Sequence, residues 1–148
     1  MPDLRETLVG LFTETAIVEH LVRTRVERTF PDGLEAAHFG IINYFIRNHQ
    51  GPDSVAGLAW AFQEDETRVL EQVQHLERLG YVTVIPGIRP VDAMISVTAA
   101  GRAAQDAELD RMGPDFEQLV SEIPIEELAI AHRVLHDIRL VLDNLPDR

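Results

Sequence analysis

The sequence contains no cysteine and no lysine. Without thiols there is neither a disulfide framework nor a thiolate metal site, so the fold has to rest on a packed core. Without lysine all 13 basic residues are arginine, set against 25 acidic residues for a formal charge of -12. No apolar run approaches the roughly 20 residues that cross a bilayer. The Met-Pro-Asp start has neither the basic nor the apolar stretch of a secretory leader, so the expected location is the cytoplasm. No phosphate-cradling glycine loop, nucleophile–base pair or carboxylate dyad can be assigned, so neither an enzymatic activity nor a cofactor is expected. At 148 residues the chain suits one domain, or one domain with helical extensions, and can bury a proper core.

The charge is unevenly spread. Residues 103–148 hold four arginines and eleven acids, whereas residues 1–50 hold five and seven. An acidic total removes any inference of nucleic-acid binding from net charge and leaves that role to a local basic face.

What is present reads as helices with one strand interruption. From Leu4 to about Thr29, Leu4, Leu8, Leu11, Phe12, Val18, Leu21 and Val22 recur at three- and four-residue steps, the pattern of an amphipathic helix. Phe30-Pro31-Asp32-Gly33 ends it. A second helix, from about Leu34 to Asn48, is apolar all round and should be buried. Gln50-Gly51-Pro52-Asp53 is a turn, and Ser54 is placed to cap a helix starting at Val55. Phe62-Gln63-Glu64-Asp65 separates that helix from the next, which Asp65 can cap. In the latter, Val69, Val73 and Leu76 share one face, leaving Thr67, Arg68, Glu71, Gln74, His75 and Arg78 opposite. Thr83 to Ile85 and Met94 to Thr98 favour strand, around a loop at Pro86-Gly87-Ile88-Arg89-Pro90. A long helix then runs from Thr98 to about Val120, disturbed at Gly113-Pro114. After a break at Ser121 to Pro124, a last helix carries Leu128, Ala131, Leu135, Ile138, Leu142 and Leu145 in a stripe.

Apolar stripes at both ends of so short a chain need a partner, and a symmetric dimer is the economical one. Leu4, Leu8, Leu11, Leu128, Leu135, Ile138, Leu142 and Leu145 are the candidate interface residues. Packing of the end helices on their own subunit alone is the other solution.

His132 and His136 stand one helical turn apart, as zinc ligands can, or as polar residues of an interface; no metal is assigned to them. His20 and His38 carry the same ambiguity. Trp60, Phe39, Tyr44 and Phe45 suit either a ligand pocket or the core.

Leu58-Ala59, Leu76-Glu77 and Gly80 stand in the spacing of an LA…LE..G pattern, and Val97-Thr98-Ala99-Ala100-Gly101-Arg102 is similar to an LTxxGR closing element. With the order of elements, these motifs resemble the MarR (multiple antibiotic resistance regulator) family over nearly the whole chain. The resemblance implies a mainly α fold with a small β-wing: a winged helix-turn-helix core flanked by N- and C-terminal dimerisation helices. Residues 34–102 would form the winged lobe, and 1–30 and 103–148 the dimerisation helices. It further implies a homodimeric transcriptional regulator, commonly a repressor. Its helix at 66–79 would enter the major groove and its wing the minor groove of a pseudo-palindromic site with half-sites ~34 Å apart. Family members often respond to small aromatic ligands near the junction of their lobes.

Ser54, Thr67, Arg68, His75 and Arg89 are the candidate DNA contacts. Arg68 suits bidentate pairing with guanine, or an ion pair with Glu64 or Glu71; His75 suits a contact or a plain exposed residue. Arg89 lies near the wing tip with nothing else to bind and suits either the role of the arginine in the family's Asp-Arg-Arg wing element, from which this chain departs by one residue, or a solvated loop arginine. Where the family carries glycine and small hydroxylated residues, the chain has Gln63-Glu64-Asp65-Glu66. A second reading follows, in which the acidic face docks on a basic protein partner or mimics DNA while general DNA binding is impaired.

Overall fold

Helix α1 (Leu4–Glu27) begins where Asp3, in extended backbone, accepts the Glu6 N–H on its carboxylate at 3.2 Å. No residue along it is buried. The computed structural model describes residues 1–31, 33–49 and 51–147, so Asp32 of the first expected break and Gln50 of the expected turn lie outside the described residues.

Helix α2 (Ala36–Asn43) buries His38, Phe39, Ile41 and Ile42, as a helix apolar on all sides must. It is shorter than the expected Leu34 to Asn48. From Tyr44 to Asn48 the chain winds as a wider π-helical turn, closed by the His49 N–H on the Tyr44 carbonyl at 2.9 Å. At this turn the Tyr44 hydroxyl donates to Asp53 Oδ2 at 2.9 Å. Asp53 and Ser54, expected as turn and cap, also form a short strand β1 (Asp53–Ser54) opposite Ile95 and Met94. Two residues cannot carry a periodicity, so this strand exists only through its partner.

Ser54 caps α3 (Val55–Phe62) by accepting the Gly57 N–H at 2.9 Å. The helix closes on Gln63, a non-glycine residue in left-handed backbone with φ 54°, whose side-chain amide donates to the Trp60 carbonyl at 2.8 Å. Asp65 caps α4 (Glu66–Arg78), its carboxylate accepting the Thr67 and Arg68 N–H groups at 2.9 and 3.2 Å. Gly80, with φ +77°, ends this second helix: its N–H reaches the Glu77 carbonyl and that of Tyr81 the Leu76 carbonyl, each at 2.9 Å.

Strands β2 (Val82–Ile85) and β3 (Met94–Val97) pair antiparallel with Val82 opposite Val97, in a sheet of order β1-β3-β2. The wing loop between β2 and β3 contains a single 3₁₀ turn, Pro90–Asp92. Helix α5 (Ala99–Leu119) follows at once. The Thr98 hydroxyl accepts the Gly101 N–H at 3.0 Å and donates to the Gly80 carbonyl at 2.6 Å. Gly113 and Pro114, expected to disturb this helix, lie within it; one proline forfeits one hydrogen bond without ending a helix whose neighbouring turns persist.

Residues 1–109 form one compact unit and 110–148 a second. The core of the first is a single cluster in which Ile41, Ile42, Val55, Leu58, Val69, Val73, Leu76 and Ile95 are fully buried. Burying each such side chain contributes about 1.5–3 kcal/mol. The second unit holds the end of α5 and helix α6 (Ile125–Asp143), no residue of which is buried.

Candidate nucleic-acid interface

Helix α4 presents two unlike faces. Val69, Val73 and Leu76 enter the core, while Thr67, Arg68, Glu71, Gln74 and Arg78 are exposed. The Arg68 guanidinium makes no ion pair among the described residues, so neither Glu64 nor Glu71 holds it. Glu64, Asp65 and Glu66 are exposed at the helix front, and one of these acids is already engaged as the helix cap.

His75 is not the freely exposed residue that its helical position suggested. It is half-buried, its ring centroid 5.0 Å from that of His38 on α2, and its Nε2 is enclosed with no hydrogen-bond partner among the described residues. Two contacts fix the tautomers. His38 Nδ1 accepts the Glu35 backbone N–H at 2.9 Å, and His75 Nδ1 lies 3.3 Å from an Arg78 nitrogen that can only donate. In the neutral forms both rings therefore carry their proton on Nε2. Burial lowers the His38 pKa, helped by the neighbouring His75 and opposed by Glu35. The pair lies in an open cleft of about 580 Å³ whose walls include Gly33, Arg68 and Glu71.

Arg89 was expected to have nothing to bind and has a close partner. Its Nε and one terminal nitrogen each stand 2.9 Å from the two carboxylate oxygens of Asp92, and its own N–H also faces that carboxylate at 3.3 Å. The bidentate pair holds the Asp92 carboxyl below the usual carboxylate range. The spacing Arg89-Pro90-Val91-Asp92 contained the signal, since a 3₁₀ turn brings residues three apart together. Ser54 is half-buried with its hydroxyl committed to the α3 cap.

The four aromatics weighed as pocket walls separate. Phe39 and Phe45 are core, Tyr44 is half-buried and Trp60 is exposed. Desolvation and the bond to Asp53 push the Tyr44 hydroxyl up to about 12, and its ring stacks on His49 with 5.4 Å between centroids. The rings of His132 and His136 are 6.4 Å apart on α6, and no group of three His, Asp or Glu placed to hold a metal occurs among the described residues. No described helix is long and apolar enough to cross a membrane. Leu4, Leu8, Leu135, Leu142 and Leu145 are exposed, whereas Leu11, Leu128 and Ile138 are half-buried.

No protein-family profile and no curated protein sequence matches the chain. Solved structures do. A MarR family protein from Bacillus stearothermophilus superposes with a TM-score of 0.71 at 14% identity, covering 97% of this chain and 100% of that one. The transcriptional regulator BldR from Sulfolobus solfataricus gives 0.71 at 18% identity over 98% and 100%. A mutant MarR from E. coli complexed with operator DNA gives 0.66 at 16% identity over 93% and 99%. The chain has a MarR-like fold. Within the MarR-like fold, α3 and α4 are the helix-turn-helix and the β2–β3 loop is the wing. Thr67 and Arg68 share the exposed front of α4, Arg89 is in the wing, Ser54 lies at the start of α3, and His75 turns inward.

Proposed function

We propose that this chain is a homodimeric transcriptional regulator, a repressor, that binds a pseudo-palindromic DNA duplex with α4 in the major groove and the wing in the adjacent minor groove. The observation that carries the reading is the exposed Thr67–Arg68 front of α4 on a helix-turn-helix with a wing beside it. The solved complex of E. coli MarR with operator DNA supports it by analogy of fold. Residues 34–102 serve as the DNA-binding lobe, and the helices within 1–30 and 103–148 serve dimerisation. Support for the dimer comes from α1 and α6, which bury no residue and expose Leu4, Leu8, Leu135, Leu142 and Leu145.

Arg68 and Thr67 are the assigned groove contacts, Ser54 is a phosphate-side contact at the start of α3, and Arg89 belongs to the wing. His75 acts from behind this face through His38 rather than as a base contact. The site assigned to a small aromatic effector is the open cleft of about 260 Å³ whose walls include Ile41, Phe62 and Val69 together with Glu19, Arg23 and Glu64. Such a regulator works in the cytoplasm. The acidic front is the weaker candidate as a protein-docking or DNA-mimicking face: one of its three carboxylates, Asp65, caps α4, and solved structures of the same fold include complexes with DNA.

The test is selection of bound duplexes from a random pool at low salt. Enrichment of a two-fold symmetric sequence with half-sites about one helical turn apart is expected. Recovery of no enriched sequence would reject the reading.

A further inference from the structure

The wing of this protein ends in an isoleucine. Ile88 is 101% exposed, the residues beside it in the loop, Gly87 and Arg89, are themselves exposed, and Ile85 on the β2 end of the loop is 66% exposed. The one cation of the tip, Arg89, is held bidentately by Asp92, so the pair offers a phosphate little net charge. The tip is also stiff. Pro86 and Pro90 fix the backbone on both sides, and the Pro90–Asp92 turn is closed by the Asp92 N–H on the Arg89 carbonyl at 3.0 Å. Gly87 lies so close to Asp92 that an added Cβ would fall 2.7 Å from its carbonyl oxygen. A β-branched side chain on a braced loop loses little freedom when it inserts.

We propose that the wing engages duplex DNA through Ile88 as an apolar wedge, which enters the minor groove and partly unstacks a base step. Arg89 is then a positioning residue: it holds Asp92 and the tip in shape. The inference rests on the DNA-binding reading above and deepens it. An inserted aliphatic side chain kinks the duplex and favours steps that unstack readily, so pyrimidine–purine steps are expected opposite the wing.

The experiment uses the full chain and the duplexes recovered by selection, labelled at both ends for energy transfer. The wild-type complex should show a kinked duplex. Ile88→Ser should lower affinity about tenfold and remove the kink, whereas Ile88→Leu should keep both. Ile88 makes no burial contribution, so equal thermal midpoints check that the variants fold. An unkinked wild-type complex, or Ile88→Ser binding and bending DNA like the wild type, overturns the wedge. Failure of the wild type to enrich any duplex instead overturns the DNA-binding reading itself, so the two failures are distinct.

Discussion

The imidazoles of His38 and His75 face each other across the cleft between α2 and α4 with 5.0 Å between ring centroids, and each uses its Nδ1 as an acceptor. This contact ties a buried residue of the supporting helix to the helix that presents Thr67 and Arg68. It has a consequence for pH. The His38 pKa is lowered in the folded protein, chiefly by burial, so the unfolded chain takes up a proton first as pH falls. The contribution of His38 to stability is intact above its unfolded pKa of about 6.5 and declines below it, until the folded pKa is reached. Urea midpoints should therefore fall between pH 7.5 and pH 5.5, with a smaller fall in His38→Gln. Equal falls in the two proteins would exclude His38 as a source. The described charged groups around the pair, Glu35, Asp65, Arg68, Glu71 and Arg78, are unaltered in that comparison.

Gln63 occupies left-handed backbone at φ 54° between α3 and α4. Glycine adopts that conformation without the steric penalty of a Cβ, at some cost in unfolded-state entropy. Gln63→Gly should raise stability by about 0.5 kcal/mol, even though it loses the side-chain bond to the Trp60 carbonyl. Chemical denaturation reads the sign, and a loss of more than 1 kcal/mol would mean that this hydrogen bond outweighs the backbone strain.

Thr98 joins the end of α4 to the start of α5 with one hydroxyl, donating to Gly80 and accepting from Gly101. Thr98→Val keeps the shape and removes both bonds. A destabilisation of about 1–2 kcal/mol is expected, because a helix cap and a carbonyl partner are lost together. The urea midpoint at constant slope measures it.

For DNA binding, Arg68→Ala should weaken affinity for the selected duplex by at least about 1 kcal/mol, measured at fixed salt. With Arg68 and Arg78 both facing phosphates, a dimer neutralises about four of them and log K should fall with log salt at a slope near −3.6, whereas an Arg68 that pairs with a base leaves a slope nearer −1.8. The acids at the front oppose binding: a carboxylate ~6 Å from a phosphate costs roughly 0.7 kcal/mol in water before screening. Glu66→Gln should accordingly tighten binding. An unchanged affinity in both Arg68→Ala and Glu66→Gln would remove α4 from the interface.

Self-association should depend on the end helices. The 16.6 kDa chain is expected to sediment as a dimer, and Leu142→Glu or Leu8→Glu, each at an exposed apolar position, should convert it to a monomer with its helical content retained. A wild-type monomer at micromolar concentration would count against the dimer.

The winged lobe was legible because its signals are local. Val69, Val73 and Leu76 recur at helical spacing, Ser54 and Asp65 are oxygen-bearing caps ahead of apolar runs, and Gly80 marks a helix end; each does in the structure what its pattern suggests. The candidate interface was less legible. Arg68 and His75 are seven residues apart on one helix, yet one is exposed and the other half-buried, because His38, 37 residues earlier, covers the second. The Arg89–Asp92 pair is legible only as an i,i+3 spacing, because the contact itself requires the 3₁₀ turn that Pro90 permits but does not compel.

By itself the sequence determined the helix-turn-helix, the two wing strands and the amphipathic ends, since capping, turn and periodicity preferences act over a few residues. Tertiary structure alone decided the strand at Asp53–Ser54, the π-helical turn before it, the burial of His75 and the neutralised, isoleucine-tipped wing. The first and third depend on a partner brought close by the fold, and the others on a backbone shape that folding imposes; even the Arg89–Asp92 pair, three residues apart in one segment, forms only once the 3₁₀ turn is in place.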